Sequence, residues 1–255
     1  SIGVKQRGTN WNGNEDDDYY RLNIEKDGVL SLQFSRPSGT GSSLLEIYTA
    51  SAAPIGSFRA DSSTAQKGNI ALNVKSGTYY VKVRPQDEST SAEYSLVAMF
   101  VESIKVKRLS SDGKEIEPEG RPLRAGDLIA LELIWGVKGG KATFSILDSS
   151  IPRRAIPIAE QEDGIYKGTY TIVDGDNMIN ASIVVRLEDP SSNTADIDAG
   201  ERVTVDTAPP TIFEVSHDAR SPLSAGKRLT VRMVGSPRSR ATFDIAGFKT
   251  GLDMY

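Results

Sequence analysis

The sequence predicts an all-β protein built as tandem antiparallel β-sandwiches, and three observations predict it. Short segments alternate apolar and polar residues from end to end, the period of two expected of a half-buried strand. Turn-forming stretches separate these segments at intervals of roughly 8–12 residues, as in sandwich domains. No segment of helical length sustains a 3.6-residue period. The nearest, LEIYTASAAPIG at 45–56, is interrupted by Pro54, whose ring cannot continue a helix.

Taken in order, a first unit spans 1–101. In YYRLNI (19–24), Tyr20, Leu22 and Ile24 face inward and Tyr19 outward. GVLSLQFS (28–35) sets Leu30, Leu32 and Phe34 on one face, with Ser31, Gln33 and Ser35 on the other. LLEIY, NIALNV, GTYYVKV and EYSLVAMF follow, divided by turn-rich RPSGTGSS and RPQDESTSA. In GTYYVKV, Tyr79, Val81 and Val83 face inward, leaving Tyr80 outward beside Lys82 and Arg84.

A second unit spans 102–208. LIALELIW alternates Ile129, Leu131, Leu133 and Trp135, and ATFSI, GIYKGTYTIV, ASIVVRL and RVTV come after it. About seven strands in about 105 residues is the count of an immunoglobulin-like sandwich. DGDN (174–177) reads as a hairpin turn, since Asp-Gly suits a type I′ turn. VDTAPPTI (205–212) is a stiff joint, because tandem prolines fix φ and cannot donate to a sheet.

A third unit, 209–255, begins the second one again. RPLRAGDLIALELIWGVKGGKATFSIL at 121–147 returns as SPLSAGKRLTVRMVGSPRSRATFDIAG at 221–247. Pro122-Leu123 and Ala125-Gly126 recur one hundred positions on, and Ala142-Thr143-Phe144 recurs ninety-nine on, as Ala241-Thr242-Phe243. Conserved apolar character at period-two positions is a packing signature. This third unit is therefore expected to be the first half of a repeat, carried on in a longer chain or completed by another chain.

Composition narrows the function. The 25% charged and 38% hydrophobic fractions describe a globular chain, and a net charge of −4 offers no attraction to nucleic acid or an anionic membrane. No apolar run reaches the ~18 residues of a membrane span. Ser1 in place of an initiator methionine fits a cleaved leader or a chain that starts inside a longer protein. Zero cysteines exclude disulfides, thiolate metal sites and cysteine nucleophiles. The single histidine, His217, lies in EVSHDARSP, read as an interdomain turn, and no GxSxG, P-loop, GxGxxG or HExxH is present. The expectation is that the chain is not an enzyme.

Two motifs carry a family resemblance. D-x-D-x-Y at Asp16, Asp18 and Tyr20, with G-T-Y-Y-x-x-V from Gly77 to Val83, resembles the bacterial pre-peptidase C-terminal (PPC) domain over about residues 2–99. The resemblance implies a jelly-roll-like sandwich on an exported protein: periplasmic, cell-surface or extracellular. The family's E-P-N-D-like opening is missing, which removes acidic residues that hold calcium in some relatives. The D-x-x-P-P joint at 206–210 likewise resembles linkers between bacterial immunoglobulin-like repeats in surface proteins.

Candidate ligand-binding residues are the outward Tyr19 and Tyr80, able to stack on sugar rings or grip a peptide, and Trp11 in the polar loop NWNGN. No cofactor is implied; calcium is the one metal the acidic run could hold, through Asp16 and Asp18. Trp135 is assigned to core or interdomain packing. Arg153, Arg154, Arg238 and Arg240 lack the aromatic interleaving of a nucleic-acid site. The expected function is a non-catalytic structural, adhesive or scaffold segment of an exported bacterial multidomain protein, with protein partners or other domains of the same chain. The alternative is an accessory module of a secreted hydrolase, binding polysaccharide, a cell-surface polymer or protein substrate.

Overall fold

The structure is a computed structural model that describes residues 5–10, 17–36, 41–60, 66–86, 92–148, 155–236 and 239–255. Every regular element among the described residues is a strand, and every strand pairing is antiparallel. The fold class is all-β, with the strands in antiparallel sandwiches. The chain divides into two compact units, residues 1–207 and 208–255.

The first eight strands are β1 (Lys5–Asn10), β2 (Asp18–Ile24), β3 (Gly28–Arg36), β4 (Ser43–Thr49), β5 (Pro54–Ala60), β6 (Gln66–Val74), β7 (Gly77–Pro85) and β8 (Ala92–Val101). They form two four-stranded sheets, β1-β8-β3-β6 and β2-β7-β4-β5. Leu30, Leu32 and Phe34 from one sheet and Leu45, Ile47, Val81 and Val83 from the other share one buried core. Complete burial of each such side chain stabilises by about 1.5–3 kcal/mol relative to exposure. The segment broken by Pro54 is the β4–β5 hairpin, with Ala52 in the left-handed region (φ 60°) at its turn.

Seven further strands follow: β9 (Ser103–Leu109), β10 (Leu128–Ile134), β11 (Lys141–Leu147), β12 (Ile156–Glu162), β13 (Ile165–Thr171), β14 (Met178–Glu188) and β15 (Thr194–Val205). Their order is β15-β14-β11-β12-β13-β10-β9, folded over so that β10 and β13 share a core with β11, β14 and β15. The fold-over happens within β12. Ile156, Pro157 and Ile158 pair with β11, whereas Ala159, Glu160 and Glu162 pair with β13 across a bulge. Gly168 of β13 sits opposite this switch, where a Cβ would come 2.8 Å from the Pro157 carbonyl oxygen.

The sequence expectation of a hairpin turn at DGDN (174–177) does not hold, because β13 pairs with β10 and β12 while β14 pairs with β11 and β15. The segment carries the chain between the two layers instead. Buried Asp176 holds it there, accepting hydrogen bonds from the Tyr170 hydroxyl (2.6 Å) and the Val173 amide (3.0 Å).

Only Glu102 separates β8 from β9, and its amide donates to the Ile134 carbonyl at 2.9 Å. Val97, Met99 and Val101 therefore pack into the second core rather than the first. β15 also lies against β3 and β6, covering the face that carries Ser31. Ser31, read as the polar side of its strand, is fully buried and donates to Asn69 Oδ1 at 2.7 Å, and Asn69 Nδ2 donates in turn to the Asp196 carbonyl. Trp135 is buried against Tyr166, with ring centroids 5.8 Å apart.

Residues 208–255 hold β16 (Ile212–His217), β17 (Val231–Gly235), β18 (Thr242–Ile245) and β19 (Lys249–Asp253), paired as β16-β17 and β18-β19. His217 is the exposed last residue of β16, not part of a turn, since its backbone pairs with Val231.

Candidate functional site

The solvent face of β2-β7-β4-β5 carries the cluster of outward aromatic residues. Alternation places Asp17, Tyr19 and Arg21 on this face from β2 and its entrance, and Tyr80, Lys82 and Arg84 from β7. Register then sets neighbours: Tyr19 lies opposite Lys82, and Tyr80 lies between Arg21 on one side and Tyr48 of β4 on the other. Tyr19 is 62% exposed and Tyr80 37%, values high for aromatic rings within a paired sheet. Together with the β4–β5 turn at Thr49, Ala50 and Ala52, the three tyrosines and Lys82 enclose a shallow dish of about 310 Å3.

The charges around the dish are mostly paired. Lys82 Nζ lies 2.6 Å from Asp17 Oδ2 and 5.5 Å from the centre of the Tyr19 ring, so it bridges a carboxylate and a π face. The Asp17 carboxylate holds the Lys82 ammonium above its ordinary pKa. Arg84 pairs with Glu46 at 3.2 Å. Burial first, then the neighbouring Glu46 carboxylate, push the Tyr48 phenol up, so it stays a neutral hydrogen-bonding group. Arg21 is exposed at the rim, where its Nε donates to Asn23 Oδ1. The dish is nearly charge-balanced. It provides stacking surfaces and hydroxyls rather than a reactive group.

Beneath this face, the pair Asp18 and Tyr20 has a structural task. Tyr94, buried on β8, donates its hydroxyl to the Asp18 carboxylate, and Tyr20 donates to Tyr94 at 2.6 Å. Burial, followed by the hydrogen bond to Asp18, holds the Tyr94 phenol far above its ordinary range. One Asp18 oxygen is thus committed to joining the two sheets. Asp16, its suggested calcium partner, and Trp11 lie outside the described residues, as do Arg153, Arg154 and Arg238. Among the described residues no group of three or more His, Asp or Glu is placed to hold a metal ion. Arg240 pairs with Asp253 at 2.7 Å.

The structure brings Tyr19 and Tyr80 together and adds Tyr48, Asp17 and the 49–52 turn, which sequence reasoning did not single out. Tyr48 continues the alternation of Leu45 and Ile47, so its outward direction was readable. Its neighbour was not, since strand order is set by long-range pairing.

Fold and site define a class: an all-β sandwich protein with a solvent-facing tyrosine dish. No family model and no curated protein matches the chain. Among solved structures, the pre-peptidase C-terminal domain of a collagenase from Bacillus anthracis is similar at 17% identity and a TM-score of 0.33, covering 38% of this chain and 89% of that one. A DUF4785 family protein from Legionella pneumophila is similar at 8% identity and a TM-score of 0.33, covering 88% of this chain and 70% of that one. A β-glucuronidase from Bifidobacterium dentium is similar at 11% identity and a TM-score of 0.27; the match takes in 79% of this chain but 40% of the enzyme. Likenesses at this level carry nothing of those proteins' activities to this chain.

Proposed function

We propose that the protein is a non-catalytic segment of an exported bacterial multidomain protein, a PPC-like sandwich followed by immunoglobulin-like units, that makes contacts with protein or surface polymer. The observation that carries this reading is the dish of Tyr19, Tyr48 and Tyr80 with Lys82 at its edge. Rigid aromatic side chains give large contact area at little conformational cost, and a charge-balanced dish needs no counter-charge on the ligand. Export rests on the family resemblance of Asp18, Tyr20 and Gly77 to Val83. The non-catalytic reading rests on a single histidine and no nucleophile motif.

Retention on insoluble polysaccharides and on collagen tests the proposal. The intact chain is expected to be held by at least one of them, and Tyr19→Ala with Tyr80→Ala to weaken retention about tenfold or more, the effect of losing a 1.4 kcal/mol anchor. Equal retention of the double variant, or none by the intact chain, removes the dish as a contact site. The same dish supports the second reading, an accessory module of a secreted hydrolase. A catalytic domain encoded in the same gene favours that reading, and further PLxAG…ATFxI repeats favour the scaffold.

A further inference from the structure

The repeated phrase is buried once and open once. We propose that the apolar face of residues 208–255 is an acceptor for the closing strands of its own repeat: three antiparallel strands with the apolar alternation of β13, β14 and β15.

In the 121–147 copy, Leu123, Ile129, Leu131, Leu133, Ala142, Phe144 and Ile146 are all buried. The strands that bury them follow in the chain. β13 pairs the edge of β10 (Leu131 with Gly168), and β14 pairs the edge of β11 (Phe144 with Val185). The end of β15 holds Leu123 in a parallel bridge: the Leu123 amide donates to the Thr204 carbonyl at 2.9 Å, and the Leu123 carbonyl accepts from the amide of Asp206, just past the strand, at 2.8 Å.

The 221–247 copy has the same inward positions. Leu229, Val231 and Met233, then Ala241, Phe243 and Ile245, alternate with exposed neighbours in the parity of their counterparts. Here all six remain partly open, and Leu229, Val231, Phe243 and Ile245 line a groove of about 1050 Å3 together with Leu223 and Phe248. Leu223 is 46% exposed where Leu123 is 1%. Among the described residues β17 pairs only with β16, and β18 only with β19. One backbone edge of each is therefore unpaired, at the edges that β13 and β14 fill in the complete copy. An open apolar sheet face with unpaired edges is a strand-accepting surface. The alternation that fits it is that of β13 to β15, since the acceptor positions keep the side-chain character those strands cover in the first copy.

The test compares the chain 1–255 with the same chain extended after Tyr255 by a second copy of its own residues 163–207. Hydrophobic-dye fluorescence, sedimentation mass and amide exchange across 229–245 are read for both, with the near-UV signal of Trp135 showing that the first unit stays intact. The chain 1–255 is expected to be a dye-binding monomer. The extended chain should lose most of that fluorescence and slow exchange in β17 and β18 by about tenfold or more. A companion in which the appended copy carries Ile183→Asn, Val185→Asn and Leu187→Asn should bind dye as the unextended chain does. A dimer of 1–255 that binds no dye would make a second copy the occupant and overturn the proposal. So would a dye-silent monomer, or an extended chain that binds dye and exchanges like the unextended one.

Discussion

Leu123 and Leu223 stand at the same place in the repeated phrase, and the turn after each is the same. The Asp127 amide donates to the Arg124 carbonyl at 3.0 Å, and the Lys227 amide to the Ser224 carbonyl at 3.1 Å. Gly126 (φ 88°) and Gly226 (φ 84°) supply the left-handed residue each turn needs. Around these matching turns the environments diverge. In the first copy Arg121 grips Asp127 through its two terminal guanidinium nitrogens, at 2.5 and 3.0 Å, and the Arg124 and Ser111 amides donate to the same carboxylate. In the second copy these positions are Ser221 and Lys227, which cannot form that pair. Local sequence sets a turn and the phase of a strand; burial depends on the strands that come to cover it.

The largest expected effect that tests this contrast comes from the matched phenylalanines. Phe144→Ala should cost the 1–207 unit about 3–5 kcal/mol, and Phe243→Ala less than about 1 kcal/mol, because only the first leaves a cavity in a closed core. Urea unfolding followed by circular dichroism measures both, and similar losses at the two sites would break the comparison.

Next in size is Asp127. Burial, the strongest single influence, would raise its carboxyl pKa, but the Arg121 pair and the two backbone donors together hold it below the ordinary value. A depressed folded-state pKa gives stability that is fully present above the unfolded-state value of about 3.9 and is lost as pH falls through the folded value. Asp127→Asn should therefore cost about 1–3 kcal/mol at neutral pH and flatten the acid limb of the unfolding midpoint below about pH 4. An unchanged acid limb would show that the clamp contributes nothing.

The smallest effect should come from moving that clamp into the open copy. Ser221→Arg with Lys227→Asp is expected to add at most about 1 kcal/mol, seen as a few-fold slowing of amide exchange around 224–230, because solvent screens an exposed pair. A gain as large as the Asp127→Asn loss would mean that burial is not what gives the first clamp its strength.

Much of the candidate site was legible in the alternation. Tyr19 against Tyr20 and Tyr80 against Tyr79 follow from a period of two, and both pairs divide as that period requires. Tyr48 joined the dish only because β4 lies beside β7, a pairing between residues more than thirty positions apart. DGDN has hairpin chemistry in its four residues, yet its flanking strands belong to different layers. The pull of Tyr170 and Val173 on Asp176 decides its shape.

By itself the sequence determined many of the strands, the phase of their alternation and the turn-forming Gly126 and Gly226, because each depends on residues within a few positions of one another, and it showed the repeat as matching residues about one hundred positions apart. Tertiary structure decided which strands are neighbours, where β12 changes layers, why Ser31 is buried, and why one copy of the phrase is covered while the other is open. Those outcomes depend on contacts between distant segments, and alternation states only that a face is apolar, not what will lie against it.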